Sequence, residues 1–174
     1  MAVKSFMKNW ILPIAAGVLV ALIVKTWVVS AAVVPSSSMR PTIPNPCYIL
    51  VDKLSTEFGS LHRGEVVTFH FPDNPSEIFV KRIVGMPGDT VTVKDHSVLV
   101  NGKPYKVPTS IIMPNGLGLG TYHVPPGHYF MMGDNRPISR DSRFWTHKYV
   151  ARSAITGQAS FVIFPFNKIK SISQ

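Results

Sequence analysis

The chain has 174 residues, enough for one ordinary domain with a small appendage. Its 45% hydrophobic and 16% charged residues exclude disorder as the main state, and its single cysteine, Cys47, excludes an internal disulfide framework or a Cys-rich zinc module. Lys and Arg total 18 against 9 Asp and Glu, and the resulting charge of +9 calls for a polyanionic neighbour, either nucleic acid or an anionic membrane surface.

The N-terminus decides between the two. Residues Ile11 to Val24 read ILPIAAGVLVALIV without a charge, and after Lys25 the apolar run continues to Val34. Counted from Trp10 to Val29 it reaches the length of about 20 residues that a membrane span needs, provided Lys25 snorkels to the interface near Trp27. Lys4 and Lys8 precede the run and place the N-terminus in the cytoplasm. Residues 1–9 are read as a cytoplasmic tail and 10–31 as a transmembrane anchor. A cleavable signal peptide is the competing reading, with Ser30-Ala31-Ala32 as its cleavage site; Trp27, Val28 and Val29 make a poor c-region for it. Both readings export the rest of the chain. The remaining cations are dispersed singly, and no RNP motif, zinc finger or Lys/Arg tract occurs, so no nucleic-acid partner is expected.

Beyond the anchor, short β-rich runs alternate with turn signals. They are Cys47–Lys53, Glu65–Phe71, Ile78–Val84, Thr90–Lys94, Ser97–Val100, His128–Met132 and Ser160–Phe164, with Asn101-Gly102 as a type I′ hairpin signal. A weak helix is predicted near Lys148–Thr156. The expected class is mainly β: one transmembrane helix, then an antiparallel β core with a small inserted β region. The core is read as 32–94 and 124–174, and the insertion as 95–123, where Lys103–Thr121 is rich in Gly and Pro. The tail from Asn167 is expected to fray.

Three segments can carry chemistry. The first, Pro35-Ser36-Ser37-Ser38-Met39-Arg40-Pro41-Thr42, follows the anchor directly. By composition it resembles a linker, but it is too short to separate domains, and Met39 and Ile43 give it an apolar side. The second, Ile78 to Val84, sets Lys81 and Arg82 side by side in an apolar strand, on opposite faces. A buried arginine stays charged and needs a carboxylate. A buried lysine loses its proton and becomes a competent general base. An edge strand with both cations reaching water is the alternative. The third, Gly133-Asp134-Asn135-Arg136 followed by Ser139, Asp141, Ser142 and Arg143, combines a tight turn with a dense polar cluster. It is either a solvated loop or a brace in which Asp141 pairs with Arg143 and a serine orients the lysine amine. The six histidines show no metal spacing, no GxSxG elbow is present, and neither GxGxxG nor a Walker A loop occurs. Neither a metal nor another cofactor is expected.

In this order, behind one N-terminal anchor, the three segments resemble bacterial type I signal peptidases, and the compact middle resembles the smaller Gram-positive enzymes. The matching stretches are Ser36 to Thr42, Gly64 to Val67 leading to Lys81 to Asp89, and Gly133 to Arg143. The resemblance implies a membrane-bound serine endopeptidase that removes signal peptides after an Ala-x-Ala-like site. It implies a Ser-Lys dyad with Ser38 as nucleophile and Lys81 as general base. Ser36 joins the Ser38 backbone N–H in an oxyanion site, Ser139 hydrogen-bonds the lysine, and Asp141 and Arg143 form a supporting ion pair. Ala32, Val34, Pro35, Met39, Ile43, Phe79 and Val80 fall where the family builds its substrate groove. Preprotein signal peptides and membrane phospholipid are the implied partners, with secretion machinery a further candidate, at the bacterial cytoplasmic membrane with the catalytic part outside. The sequence departs from the family at Thr146-His147-Lys148, which replaces a glycine and lengthens the loop after Trp145, and at Lys25. Two other readings stand beside it: a self-cleaving repressor-type peptidase, and an anchored, non-catalytic module that binds preproteins or partners.

Overall fold

The computed structural model describes residues 7–106 and 117–172. Helix α1 (Leu12–Ile23) is flanked by π-helical turns at Met7–Ile11 and Val24–Val28, with Pro13 in its first turn, where a missing N–H costs nothing. The helical run Asn9–Val28 is 20 residues of apolar sequence, and none of its described side chains is buried. It is long and apolar enough to cross a membrane.

The described residues after it are mainly antiparallel β. The larger sheet has the order β1 (Val29–Val34), β2 (Cys47–Asp52), β11 (Ile155–Phe164), β3 (Val66–Phe71), β4 (Asn74–Gly85), β9 (His128–Met132), β10 (Val150–Ala151), with β12 (Lys170–Ser171) added beside β11. The smaller sheet runs β7 (Lys103–Pro104), β6 (Ser97–Val100), β5 (Thr90–Lys94), β8 (Gly120–His123). A short helix, α2 (Leu54–Glu57), follows β2. The Asn101-Gly102 hairpin forms as expected, with φ of 51° and 77°, the left-handed pair that a type I′ turn needs.

Alternating burial divides the interior into three apolar clusters. One lies under β1 and β2 and includes Val34, Met39, Ile43, Ile49 and Val162. The second gathers Phe69, Phe71, Ile83, Met131 and Trp145. The third, Val84, Val91, Val93, Val124, Phe130 and Met132, cements the two sheets. Gly85 marks their closest approach: a Cβ there would lie 2.7 to 2.9 Å from Val91, Val124 and Phe130.

Several expectations are corrected. The apolar run does not stay helical to residue 31; from Val29 it is strand, paired Val29↔Asp52 to Val34↔Cys47, because β2 offers a hydrogen-bonding edge. Thr90–Lys94, read as the end of the core's first part, pairs within the smaller sheet with β6 and β8. The weak helix near Lys148–Thr156 is instead β10, a 3-10 turn at Arg152–Ala154 and the start of β11. The tail does not fray at Asn167: β12 pairs with Phe161 and Val162, and Ile172 is buried. Residues 107–116 of the Gly/Pro-rich stretch lie outside the described residues.

Candidate active site

β4 pairs with β3 and, from Arg82 onward, with β9, and both of its cations are buried, so the alternative in which both reach water fails. Its register sets Lys81 opposite Val67 and Arg82 opposite Val66. On one face, Arg82 finds the carboxylate that a buried guanidinium requires. Its Nε and Nη2 donate to the two carboxylate oxygens of Asp134 at 2.8 and 2.7 Å, and Nη1 donates to the Gly64 carbonyl. The pair is sealed from water, with side-chain exposures of 1% and 0%.

On the other face, Lys81 is 4% exposed, and its hydrogen bonds go to Ser38 Oγ at 2.8 Å and the Val80 carbonyl at 3.1 Å. The Nζ also sits 5.3 Å from the centre of the Phe79 ring. Burial pushes the Lys81 ammonium from 10.5 down to about 8, while Asp141 and Asp134 pull more weakly in the other direction. A lysine at about 8 releases its proton near physiological pH and can take one from a neighbouring hydroxyl.

The Ser38 turn is pinned from below and from the side. Met39 and Ile43 are fully buried in the core, and Ile43 N–H donates to the Met39 carbonyl at 2.8 Å. The resemblance implies a groove position for both; in the structure they belong to the apolar core beneath the turn and are not among the residues that line the cavity beside it. From the side, Asn135 N–H donates to the Ser38 carbonyl at 2.9 Å and its Nδ2 to the Ser37 carbonyl at 3.1 Å. Ser36 Oγ lies 3.2 Å from Ser38 Oγ.

The third segment braces this turn. Asp141 takes Arg143 Nε at 2.7 Å and Nη2 at 2.9 Å, and accepts the Gly133 N–H at 3.0 Å. Gly133 passes so close to the nucleophile's turn that a Cβ there would lie 2.1 Å from Ser139 Oγ and 2.6 Å from the Ser38 carbonyl oxygen. Ser139 lies against Gly133 near the Ser38 carbonyl, and its buried hydroxyl makes no hydrogen bond among the described residues, so the hydrogen bond to Lys81 that the resemblance implies is absent. Arg136 is buried with only its Nε bonded, to the Gly133 carbonyl, and desolvation lowers it to about 10.

Ser38 and Lys81 stand at a largely apolar cavity of about 470 Å³. Ala32, Val34, Pro35, Phe79 and Val80 are among the residues that line it. Thr68, Glu77, Ile78, Ile138 and Arg140 also line it and were not foreseen, because only the pairing of β3 with β4 and the fold of the third segment bring them there. Asp134 and Asn135 were likewise seen only as turn residues. The need of Arg82 for a carboxylate was the signal for Asp134. Among the described residues, no group of three or more His, Cys, Asp or Glu side chains is placed to hold a metal ion.

The geometry has counterparts among known proteins. The crystal structure of a signal peptidase I from Enterococcus faecalis V583 superposes with a TM-score of 0.50 at 26% identity, over 60% of this chain and all of that one. The family model described as signal peptidase, peptidase S26, matches residues 7–164. The chain is 37% identical over 163 residues to a signal peptidase I from Leptolyngbya laminosa, covering 90% of this chain and 79% of that one. It is 34% identical over 178 residues to signal peptidase I of Bacillus licheniformis, with 96% and 94% covered. Against signal peptidase I T of Bacillus subtilis it is 36% identical over 174 residues, with 93% and 88% covered. The chain belongs to the signal peptidase family, peptidase S26. With its exposed apolar helix, that membership makes it a membrane-anchored peptidase.

Proposed function

We propose that the chain is a membrane-bound serine endopeptidase that removes signal peptides from exported preproteins after an Ala-x-Ala-like site, with Ser38 and Lys81 as its catalytic dyad. The observation that carries this reading is the 2.8 Å contact between Ser38 Oγ and a buried lysine amine that, among the described residues, has no carboxylate in contact, at the end of an apolar cavity. Ser38 Oγ attacks the scissile carbonyl carbon as its proton passes to the free amine of Lys81. The Ser38 backbone N–H and the Ser36 hydroxyl hold the oxyanion. When the C–N bond breaks, Lys81 returns the proton to the leaving amine, which is the new N-terminus of the mature protein. Lys81 then takes a proton from the water that cleaves the acyl-enzyme. Ser139, next to both Gly133 and the Ser38 carbonyl, is the hydroxyl available to the Lys81 ammonium after proton transfer.

Substrate selection follows from the walls. Among the described residues, β1 pairs only with β2, and β9 covers β4 only from Arg82 onward. The edges at Ala32–Val34 and Ile78–Val80 are therefore open to an extended peptide, and the apolar cavity between them accepts small side chains. Lys4 and Lys8 put the N-terminus in the cytoplasm and the β part outside. The exposed Phe161, Phe164, Phe166 and Ile169, beside Lys168 and Lys170, form a surface suited to anionic phospholipid.

The test is cleavage of an Ala-x-Ala preprotein by the detergent-solubilised chain, with Ser38→Ala alongside. Cleavage after the small residue by the wild type alone is expected. No cleavage by a folded wild type would overturn the reading in favour of a non-catalytic preprotein-binding module.

A further inference from the structure

The anchor and the groove are joined without a linker, and one residue bonds the joint twice. The helical run ends at Val28, and β1, whose residues Ala32 to Val34 wall the groove, begins at Val29. The last carbonyls of a helix lack partners within it. Two of them here, on Thr26 and Val28, accept hydrogen bonds from Lys53: its Nζ donates to Thr26 at 2.8 Å and its backbone N–H to Val28 at 2.9 Å. Lys53 itself is fixed. Its carbonyl accepts the Thr56 hydroxyl at 2.8 Å and the Glu57 N–H at 3.0 Å, so α2 is locked to the same point. Asp52, paired with Val29, caps α2 through the Ser55 N–H and hydroxyl.

Apolar side chains gather at this level of the chain. Trp27 is 70% exposed, and Phe58 and Leu54, at the two ends of α2, are also exposed. An exposed tryptophan at the end of an apolar span is an interfacial anchor. A span of 20 residues rises about 30 Å, the thickness of the hydrocarbon layer, so Val28 stands at its edge. Six strand residues then reach Val34, about 20 Å further along the chain.

We propose that Lys53 is a positioning residue that fixes the groove at a set height above the membrane and so sets which peptide bond of a membrane-inserted signal peptide reaches Ser38. The inference rests on the peptidase reading above and extends it to substrate selection by length. A rigid joint makes the spacing between a preprotein's hydrophobic stretch and its cleavage site a selected quantity. A loose joint lets the groove follow the substrate.

The test uses the full-length chain in vesicles of phosphatidylethanolamine and phosphatidylglycerol. Its substrates are preproteins whose segment between hydrophobic stretch and Ala-x-Ala is lengthened stepwise by up to about four residues, ~13 Å of extended chain. Wild type is expected to show a sharp optimum. In Lys53→Met, the ratio of kcat/KM at the optimum to that at the longest spacing should fall about fivefold or more, the scale of one lost hydrogen bond. Cleavage in detergent of a short Ala-x-Ala peptide without a hydrophobic stretch should change less than about twofold. Lys53→Arg, which keeps a donor, should restore the optimum. An unchanged length profile in Lys53→Met overturns the proposal, as does a parallel loss on the short peptide with the profile intact, which would make Lys53 merely structural. If wild type cleaves the short peptide but shows no length optimum, the positioning role falls and the peptidase reading stands. If wild type cleaves neither substrate, both fall.

Discussion

The two faces of β4 receive the same burden, a buried cation, and resolve it in opposite ways. Arg82 is neutralised by a two-pronged contact with Asp134, and its charge becomes part of the scaffold. Lys81, one residue earlier and on the other side, has a hydroxyl and a carbonyl for partners, and desolvation lowers its affinity for the proton to about 8. Strand geometry makes the division possible, because adjacent residues point to opposite faces. The difference teaches that burial alone does not define a catalytic lysine. What matters is burial without a contacting counter-ion, against a group that has a proton to give.

The largest effects should come from the Lys81 face. Ser38→Ala and Lys81→Met are each expected to lower kcat by about 10⁴-fold or more while the β fold persists, read by preprotein cleavage and circular dichroism. The Arg82 face should respond in stability instead. Asp134→Asn leaves a buried guanidinium short of its counter-charge and is expected to cost about 3–5 kcal/mol in denaturant unfolding. Ser36→Ala, which removes one oxyanion donor, is expected to lower kcat by about 10²-fold with little change in KM. Gly133→Ala drives a methyl into Ser139 and the Ser38 carbonyl, and should cost about 1–3 kcal/mol together with a loss of activity. The smallest effect carries the sharpest contrast. Lys81 holds its proton less tightly folded than unfolded, so the folded chain binds fewer protons and stability rises with pH between about 8 and 10.5. Lys81→Met should therefore raise the melting temperature by several degrees at pH 7, where no comparable gain follows at Arg82.

Much of this division was legible in the sequence. The adjacent cations within an apolar strand posed the question, and strand period placed them on opposite faces. The serine run, the Asp141–Arg143 pair and most of the strands could be read from local pattern. What could not be read depends on long-range pairing. Residues Val29–Ala31 are as apolar as the helix before them, and only the β2 edge makes them strand. Met39 and Ile43 fit a groove or a core equally well until β2 and β11 close over them. Asp134 is an ordinary turn residue in sequence, and it meets Arg82 from 52 positions away. The Ser139 hydroxyl is buried against Gly133 without a hydrogen-bond partner among the described residues, a detail of rotamer that no spacing encodes.

The central claim is that Lys81 acts as a free amine, and the pH dependence of kcat/KM on a short Ala-x-Ala peptide tests it most directly. Protonated Lys81 cannot accept the Ser38 proton, so activity should rise about tenfold per pH unit at low pH. It should bend at about 8 and hold above that. A limb that bends near 6.5, the ordinary histidine value, would assign the base to another residue and contradict the account.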